Sequence, residues 1–184
     1  MKCILKPKKK GDNMNLVKKF TTEILVPIIS AIIIALLIHR FLGFAIEVPS
    51  GSMLPTIQLQ DRIIVSVVHN PSNLKHGDIV VFDSDELHET LIKRLIGLPG
   101  DQVDVKEDGS VYVNSEKINE PYVKNFGGNI GSYKVPEGKY FFMGDNRSDS
   151  YDSRYWKSTY IPADKIKGKA LFVFFPFSRI QTLK

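Results

Sequence analysis

Hydrophobic and polar positions fall into two textures along the chain. From Ile24 to Ile38 (ILVPIISAIIIALLI) no charge interrupts; His39 and Arg40 follow, and Phe41–Ile46 is apolar again. As a helix, the 21 residues Ile24–Phe44 reach about 31 Å at about 1.5 Å per residue, enough to cross a bilayer core. Pro27 falls in the first turn, where a missing N–H costs little, and Arg40 can extend toward the headgroups. Beyond residue 47 the texture changes to short runs rich in β-branched and aromatic residues. Arg62–Val68, Asp78–Phe82, Thr90–Ile96, Gln102–Val105, Ser110–Val113, Lys139–Met143 and Lys169–Phe175 read as strands. Asn70-Pro71, His76-Gly77-Asp78, Pro99-Gly100-Asp101, Asp108-Gly109 and Glu137-Gly138 punctuate them as turns. Val103–Val113 around Glu107-Asp108-Gly109 predicts a hairpin, and the Gly/Asn-rich run Lys124–Ser132 a mobile loop. Pro162–Ile166 makes at most one helical turn. Phe172, Phe174, Phe175 and Phe177 lie in a run too short to span a membrane; the core is their expected place, the lipid interface the alternative.

The expected fold is mainly β: one N-terminal transmembrane helix, then an antiparallel β-sheet domain carrying a small inserted β subdomain. The expected boundaries are a basic tail at 1–23, an anchor at 24–46 and a domain at 47–184, with the insertion at about 104–137. A chain of 184 residues suits one anchored domain of ordinary size.

Charge sharpens the picture. Seven lysines and two acids precede residue 24, whereas the remainder carries eighteen charges of each sign, so the net +5 lies wholly in the tail. A nucleic-acid-binding domain would carry its own basic face, so nucleic acid is excluded as a partner. Lysines before the apolar run place the N-terminus in the cytoplasm and the β domain on the extracytoplasmic face, in a single pass of the cell membrane. A cleaved leader is the rival reading. It would have a shorter apolar core and a small-x-small site, whereas Gly43 and Ala45 are closely followed by Pro49, which favours a retained anchor. Met14 is an alternative start that keeps Lys18 and Lys19 and so the orientation. Cys3 is the one cysteine, so no intramolecular disulfide forms.

Three stretches carry candidate chemistry. Pro49–Thr56 (PSGSMLPT) cannot continue a helix, and it presents Ser52 on a stiff turn of small residues. The plain alternative is a linker. Leu91–Asp101 (LIKRLIGLPGD) places Lys93 on a strand face with Leu91 and Leu95, and Arg94 with Ile92 and Ile96. Burial lowers a lysine pKa from about 10.4 and turns the amine into a candidate general base; the alternative is a lysine whose head reaches solvent. Gly144–Arg154 (GDNRSDSYDSR) is dense in groups that pair as ions and hydrogen bonds, namely Asp145, Arg147, Asp152 and Arg154 with Ser148, Ser150 and Ser153. It does not match a calcium loop, and its Asn146-Arg147-Ser148 glycosylation triplet is too common to weigh.

Together the three stretches resemble the type I signal peptidases, the membrane-bound serine proteases of the S26 group. The resemblance runs from the anchor to the C-terminus and includes Arg62–Val67 and His76-Gly77-Asp78-Ile79-Val80 between the first two motifs. It implies a Ser–Lys dyad, with Ser52 as nucleophile and Lys93 as general base. Relatives with histidine in place of the lysine are set aside by Lys93, leaving the bacterial form. Ser50 matches a hydroxyl that helps the Ser52 N–H hold the oxyanion, and Ser150 the serine that orients the lysine. Asp145 matches the acid pairing with Arg94, and Asp152 with Arg154 an ion pair shaping the site. Ile46, Val48, Pro49, Met53, Leu91 and Ile92 match the lining of shallow pockets for small residues, as in Ala-x-Ala. The resemblance implies no metal or cofactor. Its implied partners are exported preproteins and the lipid bilayer, with the secretion translocon a further candidate. The short segment Asp104–Glu137 resembles the compact Gram-positive enzymes, not relatives with a large second β domain.

General and dedicated signal peptidases would share these motifs; depletion separates them by how many precursors accumulate. A self-cleaving repressor would share the dyad but should carry a DNA-binding domain and no span. An anchored binding module without catalysis is disfavoured by Ser52, Lys93, Ser150 and Asp152 standing together.

Overall fold

A computed structural model of the chain describes residues 19–41 and 43–183. Most of the basic tail, Cys3, the choice of start and the side chains of His39 and Arg40 lie outside what is described. The chain divides into two units at Leu42/Gly43.

In the first unit a π-type turn, Thr21–Leu25, leads into α1, Val26–Phe41. Ser30, the polar residue within the apolar run, donates its hydroxyl to the Pro27 carbonyl at 2.9 Å. Ile28, Ile29, Ile32, Ile33, Ile34, Leu36 and Leu37 are all exposed, so α1 offers apolar surface all round instead of one stripe. No helix among the described residues is long and apolar enough to cross a membrane. The expected span to Phe44 is corrected at its end, because Gly43–Glu47 forms strand β1. Gly43 lies so close to the Val65 carbonyl that a Cβ would collide with it, and Phe44 pairs with Val65. Pairing satisfies these backbone groups in a ladder, and a glycine allows the approach.

The second unit is built on two antiparallel sheets. The main sheet runs β1-β2-β11-β3-β4-β9-β10, with β12 beside β11. Its strands are β2 Arg62–Val67, β3 Ile79–Ser84, β4 Glu89–Gly97, β9 Lys139–Met143, β10 Ile161–Pro162, β11 Ile166–Phe175 and β12 Gln181–Thr182. The smaller sheet runs β7-β6-β5-β8, from β5 Gln102–Val105, β6 Val111–Val113, β7 Glu116–Lys117 and β8 Gly131–Lys134. The β5–β6 hairpin pairs Val103 with Val113.

Side-chain alternation explains the core. On β3, Ile79 and Val81 enter one cluster with Val48, Met53, Ile57 and Ile92, while Val80 and Phe82 enter a second with Leu95, Phe142 and Trp156. On β9, Tyr140 and Phe142 join the second cluster, and Phe141 and Met143 a third under the small sheet. Both central strands are therefore buried on two faces.

Two expectations need correction. The phenylalanines of β11 and the turn after it do not fill the core: Phe172 and Phe175 are exposed, Phe174 is half-buried and Phe177, past the strand, is 77% exposed, whereas Ala170 and Val173 are buried. Irregular register against β2 between Ala170 and Phe172, and again between Val173 and Phe175, breaks the alternation. Phe175 then packs edge-on against Phe177 and under the Arg62 guanidinium. The run 124–132 is not a free loop. Gly131 and Ser132 begin β8, and the residues before them are tied to the third motif, as described next.

Candidate active site

The site grows from the end of β9. After Met143 the chain turns sharply at Gly144, where a Cβ would overlap both the Ser150 hydroxyl and the Ser52 carbonyl oxygen. Only glycine lets the first and third motifs approach this closely. Gly144–Arg154 then folds over itself. The Gly144 N–H donates to Asp152 Oδ2 at 3.0 Å, and the Phe142 N–H to Ser153 Oγ at 3.0 Å. Arg154 binds Asp152 with Nε and Nη2, both at 2.9 Å, and gives its other donors to the Arg147 and Gly127 carbonyls. Arg94 grips Asp145 the same way, Nε to Oδ1 at 2.8 Å and Nη2 to Oδ2 at 2.7 Å, and donates Nη1 to the Gly77 carbonyl. The Arg94–Asp145 and Arg154–Asp152 side chains are essentially water-free. Charges buried this deeply persist only when every donor has a target, and the planar forks of arginine meet that need.

The first motif is held from both sides. Its carbonyls at Gly51 and Met53 accept from the Leu54 and Ile57 N–H groups. Thr56 donates its hydroxyl to Asp145 Oδ2 at 2.6 Å, linking the turn to the Arg94 pair. Buried Asp61, held by Arg179, caps the far end by accepting from the Gln58 N–H. Ser52 is buried, and its Oγ lies 3.4 Å from Ser50 Oγ.

Lys93 lies at the middle of β4, paired with Val80, and is 4% exposed. Burial pushes its ammonium down from the usual lysine range to about 8; Asp152, Asp145 and Asp149 oppose that shift, and Arg154 adds to it. Near pH 7.4 about a fifth of a lysine with that pKa is neutral, against about 0.1% of an ordinary one. Lys93 is not hydrogen-bonded to Ser52 or Ser150 among the described contacts. Ser150 Oγ is buried and has no hydrogen-bond partner among the described residues. Ser52, Ser150 and Asp152 thus meet around Gly144, and Asp152 and Asp145 are within electrostatic reach of Lys93.

The residues matched to substrate pockets divide. Val48, Met53 and Ile92 are buried in the first cluster, with Ile46 packed on it; Leu91 packs on the second, and Pro49 is exposed.

Several residues of the site were not singled out by the sequence. Glu120 holds Arg147 through both carboxylate oxygens, and the Tyr122 ring lies 3.8 Å from the Arg94 guanidinium carbon. Asn125 donates its side-chain amide to Asn146 Oδ1, and its carbonyl accepts from the Ser148 N–H. Asn129 donates its backbone N–H to the Tyr155 hydroxyl and its side-chain amide to the Arg154 carbonyl. Residues 120–129 therefore form a strap across the third motif. The glycines and asparagines hint at tight turns, but no local pattern reveals partners some twenty residues downstream.

With this geometry in place, comparison with known proteins is direct. The family model for signal peptidases, peptidase S26, matches residues 21–175. Signal peptidase I of Bacillus licheniformis is 43% identical over 84% of this chain and 88% of its own length. Signal peptidase I T of Bacillus subtilis is 40% identical over 85% and 86%. A crystal structure of a signal peptidase I from Enterococcus faecalis V583 covers 53% of this chain and 96% of its own, at 30% identity and a TM-score of 0.47. The chain belongs to the signal peptidase family, the S26 serine peptidases.

Proposed function

We propose that the chain is a membrane-anchored serine endopeptidase that removes signal peptides from exported preproteins after small-x-small sites, with Ser52 as nucleophile and Lys93 as general base. The observation that carries this reading is Lys93, buried in β4 with its amine lowered to about 8 and within electrostatic reach of the Asp145 and Asp152 carboxylates of the third motif. Neutral Lys93 Nζ accepts the Ser52 proton as Oγ attacks the scissile carbonyl. The Ser52 N–H and Ser50 Oγ hold the resulting oxyanion. The Lys93 ammonium then protonates the departing amine, which leaves as the new N-terminus of the mature protein. A water attacks the remaining ester, gives its proton to Lys93, and frees Ser52. Hydrogen bonds of this kind are commonly long in the free enzyme and tighten with substrate bound. Ser150 and the Asp152–Arg154 pair set the surroundings of the amine, and Asp145 with Arg94 fixes the segment between them. Small side chains of the signal peptide would rest against Ile46, Val48, Pro49, Met53, Leu91 and Ile92.

The same proposal places the N-terminus in the cytoplasm and the β unit outside, in a single pass. The all-apolar surface of α1 and the lysines before it support this. The exposed Leu171, Phe172, Phe175, Phe177 and Ile180 support a lipid-facing patch on the β unit. Partners are then preproteins, the bilayer and the translocon that delivers the substrate.

The test is incubation of the full chain in detergent with a preprotein bearing an Ala-x-Ala site, with products mapped by mass spectrometry. One cut directly after the second alanine is expected. An intact preprotein, or cuts scattered through its mature part, would reject the assignment.

A further inference from the structure

We infer that Asn146 is a positioning residue that aims the Ser52 N–H at the reacting carbonyl, and that Asn125 in the strap fixes the Asn146 amide for this task. The inference rests on the reading of Ser52 as nucleophile. Asn146 grips two consecutive carbonyls of the nucleophile turn: its N–H donates to the Ser52 carbonyl at 3.0 Å, and its Nδ2 to the Gly51 carbonyl at 3.1 Å. The Gly51 carbonyl and the Ser52 N–H belong to one planar peptide unit and point in opposite directions. Holding the Gly51 oxygen therefore sets where the Ser52 N–H points. The Leu54 N–H, which reaches the same oxygen at 3.1 Å, closes the turn within its own segment. Among the described contacts, Asn146 is the residue of the third motif that ties that peptide plane down.

An asparagine amide performs this task only in one orientation. Its NH2 must face Gly51, which leaves Oδ1 to find a donor elsewhere. Asn125 supplies that donor, with Nδ2 at 2.9 Å from Oδ1. Flipping Asn146 would set oxygen against the Gly51 carbonyl and NH2 against NH2, so Asn125 selects the productive orientation. Asn146 is buried, whereas Asn125 is exposed on the strap. The path runs from the strap through two side-chain amides to the peptide bond of the nucleophile. Neither asparagine touches the substrate; both act through the Gly51–Ser52 peptide.

The test compares Asn146→Leu, Asn125→Leu and Ser52→Ala in the full chain in detergent. It measures kcat and KM on a preprotein, affinity for a substrate-like peptide aldehyde, and the unfolding midpoint. The aldehyde adduct on a serine carries the oxyanion, so its affinity reports the aim of the N–H, whereas KM reports ground-state contacts. Loss of one oxyanion donor costs about 100- to 1,000-fold in kcat, and a misaimed donor retains part of that. Asn146→Leu is therefore expected to lower kcat about 10- to 100-fold. Aldehyde affinity should weaken in step, with KM within about 2-fold. Asn125→Leu, at an exposed position, should show the same split at about 3- to 10-fold with an unchanged midpoint. Unchanged kcat in both variants would overturn the inference. So would a kcat loss that leaves aldehyde affinity intact, whether or not the midpoint falls. Ser52→Ala is read separately: if it still cleaves, the nucleophile assignment fails, whatever the asparagine variants do.

Discussion

Lys93→Met is expected to abolish preprotein cleavage and, at the same time, to make the protein more stable. Removal of a nucleophile or its base commonly costs about four orders of magnitude or more in kcat. The gain in stability follows from the same burial. The Lys93 amine is held near 8 in the folded chain, below its unfolded value of about 10.4. Between those values the unfolded chain binds the proton and the folded chain does not, so stability rises with pH across that window. Below about 8 the folded protein carries a buried ammonium at a cost on the order of 3 kcal/mol. Methionine has a similar length and no charge, so it removes that cost. Denaturant unfolding at neutral pH should show the variant more stable, with the difference shrinking as pH passes 8 toward 10. Ser52→Ala should lose activity comparably without this pH-dependent gain. A Lys93→Met protein that is less stable at every pH would mean the amine is a satisfied structural cation.

Asp145→Ala should produce the largest loss of stability. Asp145 is fully buried and accepts two hydrogen bonds from Arg94 and one from Thr56. Alanine removes both carboxylate acceptors from a guanidinium in a dry site. Breaking a buried pair on one side costs about 3–5 kcal/mol. The nucleophile turn also loses its Thr56 tie, so activity should fall with stability. Urea titration should show a lower midpoint at an unchanged slope. A loss under about 1 kcal/mol, as for a surface pair, would show that water reaches Arg94.

Much of this was legible from local pattern. Gln102–Val105 and Lys139–Met143 appear with the expected bounds, because turn residues bracket them on both sides. Lys93 reads as buried because its strand is apolar on both faces. What escaped the sequence was set at a distance. Gly43–Glu47 reads as the end of an apolar helix because a short apolar run has no period of its own, and only pairing with Arg62–Ser66 makes it a strand. Gly131–Lys134 hides at the end of a Gly/Asn run until Gln102–Val105 lies beside it. The outward phenylalanines of β11 depend on irregular register against β2, which composition does not encode. Glu120, Tyr122 and Asn125 look like ordinary loop residues because the arginines and the amide they hold are distant along the chain.

The central claim is that Lys93 is neutral often enough to act as a base. Carbon-13 NMR of the lysine Cε signals tests it directly, with Lys93 assigned by its absence from Lys93→Met. The Lys93 signal should titrate with a midpoint of about 8. A midpoint near the ordinary value of about 10.4 would contradict the account.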